Sequence, residues 1–116
     1  MKLVGSRGAG TNRPDSDWDV SVPGIINVQE NVSYGKGNEF PLWLQALKDA
    51  NISISELKSQ ARKLFNIPEH GDIDLFFSAR CECAGKELFA IIHEEGCVVG
   101  MGNSLRAAAR DARRYD

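Results

Sequence analysis

The sequence has little that would tie it to a membrane, an oxidising compartment or a polyanion. No apolar run among its 116 residues is long enough to cross a bilayer, and no basic stretch precedes an apolar one as in a secretion signal. Cysteine is scarce and odd in number, three residues, which argues against a disulfide framework. Acidic and basic residues nearly cancel, 16 against 14, so the net charge of −2 gives no general pull toward nucleic acid or lipid. Internal repeats and low-complexity tracts are missing too. A cytoplasmic chain is expected. What is left is an ordinary globular composition, 42% apolar and 26% charged, at a length that suits one domain over 1–116.

The familiar phosphate-binding loops are also missing. Gly5-Ser6 is followed by no Gly-Lys-Ser/Thr, and no GxGxxG opens a helix, so P-loop and Rossmann readings fit poorly. The chain instead carries a Gly-Ser turn directly after the apolar pair Leu3-Val4. Gly5 lets the backbone turn sharply and approach a ligand closely. A helix opening at Ser6 would offer a hydroxyl and free N–H groups to an anion, with Arg7 adding a positive charge.

After ten intervening residues, Ser6 is followed by Asp17-Trp18-Asp19-Val20. On a strand, Asp17 and Asp19 share one face, and residues two apart lie roughly 6.5–7 Å apart by Cα. Both carboxylates can then reach one cation or a pair, and hard oxygen donors select Mg²⁺ or Mn²⁺. Further acids lie at Asp72 and Asp74 in Gly71-Asp72-Ile73-Asp74-Leu75. Asp74, flanked by apolar residues, reads as a strand-centre residue; Asp72, beside Gly71, reads as the strand's mouth. The plain alternative is that Asp15, Asp17 and Asp19 are turn and edge residues after Pro14.

Hydrophobic spacing predicts strands at 2–4, 17–22, 72–77 and 87–93, with the second stopping at Pro23-Gly24. A turn or short helix is expected at 6–11, and the polar stretch 27–38 reads as a loop. Helices are predicted at 40–50, then from a Ser53 or Ser55 cap to before Pro68, and from about 103 or 104 to 114. The last helix places Arg106, Arg110, Arg113 and Arg114 on one side and Leu105, Ala108, Ala109 and Ala112 inward. Those arginines are either a solvated face or a contact for tRNA or nucleotide phosphates.

Cys81, Cys83, His93 and Cys97 offer four soft ligands for zinc, but the one-residue gap between the first two is tighter than usual for such sites. Free thiols in a reducing cytosol are the plainer reading, and His93 reads as a strand-end residue.

The run GSRGAGTNRPDSDWDV resembles the signature of the polymerase-β-like nucleotidyltransferase superfamily, in particular its minimal members. Its elements here are Val4, Gly5-Ser6, Asp17-Trp18-Asp19-Val20 and Asp74. The resemblance covers most of the first twenty residues closely, and the rest less well. Members usually carry a helix ahead of the Gly-Ser strand, where this chain has Met1-Lys2, so the expectation is either a module or N-terminally shortened version of a larger protein, or a member that dispenses with that helix.

The resemblance implies an α+β fold, a small mixed sheet flanked by helices. It also implies transfer of a nucleoside monophosphate from an NTP to a hydroxyl. Asp17, Asp19 and Asp74 would hold Mg²⁺ or Mn²⁺, Asp74 would activate or orient the acceptor, and Gly5, Ser6 and Arg7 would bind the nucleotide. Acceptors in the family are tRNA ends, protein side chains or small molecules. Some members are antitoxins paired with a helical toxin; others are toxin domains, for which an immunity partner is expected. Outside the enzyme class stand a nucleotide-binding module without turnover and a zinc-stabilised interaction domain.

Overall fold

The computed structural model describes residues 1–5, 10, 17–31, 43–83 and 85–113. Five strands and three helices are described: β1 (Lys2–Val4), β2 (Trp18–Asn31), α1 (Trp43–Asp49), α2 (Ile54–Leu64), β3 (Ile73–Cys83), β4 (Lys86–His93), β5 (Val98–Gly102) and α3 (Leu105–Arg113). The strands form one mixed sheet in chain order. Only β2 and β3 run parallel; every other neighbouring pair is antiparallel.

Parallel neighbours need a long crossover, and α1 and α2 lie within this one. Their apolar sides cover one face of the sheet, where Val20, Leu75, Phe77 and Ile92 are buried with Trp43, Leu47 and Ala61. Trp43 meets Phe77 edge to face at 5.5 Å and donates its indole N–H to the Glu94 carbonyl at 2.9 Å. A buried Trp is thereby satisfied at both its apolar and its polar end. The Ser53 hydroxyl accepts from Glu56 N–H and caps α2; of the two serines considered, this is the cap.

α3 packs on the opposite face. Gly100 and Gly102 are register partners of Ile91 and Phe89, which alternate with the core residues Ala90 and Ile92. A Cβ on Gly100 would lie 2.7 Å from Ala112 N, and one on Gly102 2.6 Å from the Ala107 Cβ. The two glycines allow the helix to lie almost on the sheet. Ala108 is fully buried there, and Asp111 accepts the Met101 N–H at 3.0 Å, occupying part of the β5 edge.

Several expectations are corrected. β2 does not stop at Pro23-Gly24: it continues to Asn31, and its pairing with β3 shifts between Val22 and Ile25. Proline lacks an N–H and is tolerated at such an irregularity on a sheet margin; β1 pairs only as far along β2 as Ser21. Gly24 takes φ +97°, a left-handed conformation suited to glycine. Residues 27–31, read as loop, are therefore strand. β3 extends six residues past its expected end, to Cys83. β5 was not expected; the expected helix start at 40 falls on residues 40–42, which lie outside the described residues, and α1 is described over Trp43–Asp49. The turn at 6–11 lies outside the described residues save Gly10, as do 32–38 of the expected loop.

Candidate functional site

At one end of the sheet, the chain leaving β1 and β4 meets the chain entering β2 and β3. The parallel register makes Asp19 the direct partner of Asp74. Paired residues on adjacent strands present their side chains on the same face, and here that face is the one turned away from α1 and α2, since Val20 and Leu75 point into the core. Asp17 immediately precedes β2, is exposed, and has its side chain within hydrogen-bonding reach of Asp74.

Local chemistry fixes this end of the sheet. Trp18 N–H donates to the Asp72 carbonyl at 2.8 Å, locking the first rung of the ladder. Arg62 donates to the carbonyls of Pro68 and Gly71, tying the loop before β3 to α2. Gly71 fits against Ile67 and the Trp18 indole, where a Cβ would lie 2.9 Å from Ile67 Cγ2. Asp72 itself is exposed at the strand mouth, as the sequence suggested.

Gly5 follows β1 at φ +67°, and a Cβ there would overlap Asp19 Oδ2. The turn is pressed against the carboxylate, and only glycine suits both the backbone and the space. The remaining expected nucleotide contacts, Ser6 and Arg7, lie outside the described residues.

Three further groups gather around Asp74. His93, the last residue of β4, has Nε2 2.9 Å from Asp74 Oδ1. Glu94 Oε1 accepts the Leu75 N–H at 3.1 Å, and Glu94 Oε2 lies 2.7 Å from Lys58 Nζ on α2. The His93 hydrogen bond holds the Asp74 carboxyl below its usual range; burial opposes this, while the charges of His93 and Lys58 and the contact with Asp17 add to it. The same bond raises the His93 pKa, against burial and with help from the charges of Asp74, Glu94 and Glu95.

The donor set suits a hard divalent cation. Asp17, Asp19 and Asp74 are hard oxygen donors carried at two adjacent strand starts, with Asp19 and Asp74 in direct register, although the donor atoms of the three do not all lie within 4.8 Å of one another. Asp74, His93 and Glu94, by contrast, do place a donor atom each within 4.8 Å of one another, the one such grouping among the described residues. That second grouping reads better as a hydrogen-bond network: both Glu94 oxygens are engaged, and Glu95 N–H points at His93 Nδ1 (3.3 Å), leaving Nε2 to carry the proton.

The zinc reading of the cysteines is not supported among the described residues. Cys81 is a buried thiol paired with Leu88, five positions along β4 from His93, or roughly 17 Å at 3.4 Å per residue. Cys97 is a half-buried thiol beyond β4. Arg106 and Arg110 are exposed on α3, while Arg114 lies outside the described residues. Among the described residues no helix is long and apolar enough to cross a membrane.

Sequence reasoning missed His93 as the partner of Asp74. Its only signal was a histidine ending an apolar strand, and nothing local shows which strand lies beside it. Compared with known proteins, the chain matches no family model, no curated protein and no solved structure. Function has to be argued from the site itself.

Proposed function

We propose that the chain is a metal-dependent nucleotidyltransferase of the polymerase-β-like kind, moving a nucleoside monophosphate from an NTP to a hydroxyl. The observation that carries the reading is the direct pairing of Asp19 with Asp74, with Gly5 packed on the Asp19 carboxylate. A turn without a side chain beside carboxylates on adjacent strands is what a metal-bound triphosphate requires at close approach.

In the reaction, the acceptor hydroxyl oxygen forms a bond to the α-phosphorus as its proton passes to solvent, the bond to the bridging oxygen breaks, and pyrophosphate leaves. Mg²⁺ or Mn²⁺ bound by Asp17, Asp19 and Asp74 would supply neutralisation of the charge on the attacking and leaving oxygens. The chain's own share is positioning. Asp74, held ionised by His93, is a weak base and a strong acceptor, so it suits orienting the hydroxyl and holding charge better than taking the proton outright. The Gly5 turn lets the phosphates approach, with Ser6 and Arg7 next in sequence to grip them.

The acceptor is the end of an RNA, a protein side chain or a small molecule, and a toxin, antitoxin or immunity role would follow from which. Incubating the protein with each labelled NTP, Mg²⁺ and a cell extract reads the acceptor directly. Label should appear on one class of acceptor and vanish in Asp17→Asn/Asp19→Asn. Nucleotide that binds without ever transferring would favour a binding module that lacks turnover.

A further inference from the structure

We propose that His93 is the positioning residue of this site: its Nε2–H holds one oxygen of Asp74 and leaves the other for the cation and the acceptor. The inference rests on the metal-site reading above and adds a residue to it.

The ring is restrained from several sides. Phe76, the register partner of His93, meets it edge to face at 5.4 Å. Its backbone is clamped by His93 N–H to the Cys97 carbonyl and by Gly96 N–H to the His93 carbonyl, both at 2.8 Å. The imidazole keeps 19% of its side-chain surface exposed and the Asp74 carboxylate 33%, so the pair is set into the sheet end rather than waving in solvent. Glu95 N–H donates to Nδ1 at 3.3 Å. A nitrogen that accepts cannot also carry a proton, so the neutral ring has its hydrogen on Nε2, aimed at Asp74 Oδ1 2.9 Å away.

Asp74 is thus flanked across the sheet by Asp19 from β2 and His93 from β4. A carboxylate on a single strand can rotate about χ2 at little cost. A donor fixed to one oxygen removes that freedom, which is the role that groups behind a metal ligand usually serve. The backbone of β3 is set by the same loop, because Glu94, the next residue, accepts the Leu75 N–H and is held by Lys58. The segment after β4 therefore orients both the side chain and the main chain of the third acid.

The test uses Mn²⁺ alone, read by electron paramagnetic resonance, so it depends on no acceptor. His93→Phe keeps a ring against Phe76 and removes the donor; His93→Gln keeps a donor and removes the ring. Mn²⁺ affinity should fall about 10- to 100-fold in His93→Phe, the usual loss for such a group. In His93→Gln it should recover to within a few-fold of wild type. The reverse order, Phe tolerated and Gln not, would mean that His93 only packs.

Asp17→Asn/Asp19→Asn separates the two readings. Wild-type protein that binds no Mn²⁺ overturns the metal site itself, whereas equal binding by wild type and His93→Phe overturns the positioning role alone. Should either His93 variant fail to fold, ¹⁵N spectra of the wild-type imidazole decide. A proton on Nε2 that persists with Mg²⁺ bound supports positioning; a proton on Nδ1, or loss of the Nε2 proton on metal binding, overturns it.

Discussion

Gly5 allows the arrangement of the site to be tested by a single methyl group. Gly5→Ala faces two costs. The φ of +67° is left-handed, worth ~1–2 kcal/mol for a residue with a Cβ. The new methyl would also overlap Asp19 Oδ2, so the carboxylate must leave its rotamer, a further cost of about 0.5–1.5 kcal/mol. Gly10 supplies the control: its φ is +76°, but among the described residues nothing lies within 4 Å of the Cβ it would gain. Gly10→Ala should therefore lose only the backbone share, ~1–2 kcal/mol, and Gly5→Ala about 1.5–3.5 kcal/mol in all. Urea unfolding separates the two, since midpoint differences at constant slope report stability. The sharper readout is Mn²⁺ affinity. A displaced Asp19 should weaken binding about tenfold or more in Gly5→Ala, as 1.4 kcal/mol is a factor of ten, while Gly10→Ala binds as wild type. Equal Mn²⁺ affinities in the two variants would refute the claim that the turn and the carboxylate form one site.

Asp74→Asn should cut transfer by about 10²-fold or more, and Asp72→Asn, at the exposed strand mouth, should change the rate little; a dead Asp72 variant beside an active Asp74 variant would reassign the third acid. Gly100→Ala should push α3 off the sheet and cost about 1–3 kcal/mol in urea unfolding, because its Cβ would lie 2.7 Å from Ala112 N; an unchanged midpoint would mean that the seam can relax. The metal-free protein should draw stability from the Asp74–His93 pair between about pH 4 and 6.5. The lowered Asp74 pKa contributes above the ordinary 3.8 and is lost as pH falls through the folded value, whereas the raised His93 pKa contributes below the ordinary 6.5 and is lost as pH rises through its folded value. The charged groups facing the pair are Asp17 ahead of β2, Asp19 on β2, Lys58 on α2, and Glu94 and Glu95 after β4, and partial exposure keeps the effect modest. The stability gap between wild type and His93→Phe should peak in that window, and a gap flat across pH would show that the pair is not what titrates.

The parts of the fold that were legible in the sequence are those with local causes. Ser53 sits three residues ahead of Glu56 before an apolar-periodic run, and α2 starts there. Leu3-Val4 ends in a glycine, and β1 ends there. The errors have a common cause, which is that the deciding contacts are distant in sequence. Pro23-Gly24 carries every local mark of a strand end, yet β3 continues alongside and the ladder steps over the irregularity. Val98–Gly102 has two glycines in five residues, a poor strand by propensity. It forms because Gly100 and Gly102 face Ala107, Ala108 and Ala112 on α3, a match visible only once both segments are placed together.

The candidate site divides along the same line. Asp17, Asp19 and Gly5 could be singled out because their spacing is a property of one segment. That Asp74 rather than Asp72 faces Asp19 depends on the β2–β3 register, and the apolar neighbours Ile73 and Leu75 were a sound guide because burial on one face fixes register. His93 had no such guide. Its place beside Asp74 depends on the β3–β4 register and on the turn that brings Glu95 N–H back to Nδ1. Asp74 meets Asp19 through a parallel pairing across fifty-five residues, and its orienting donor arrives through an antiparallel hairpin only nineteen residues away. The hairpin is the shorter closure and the smaller entropic cost, so the Asp74–His93 pair has the means to form before the sheet brings Asp19 to it.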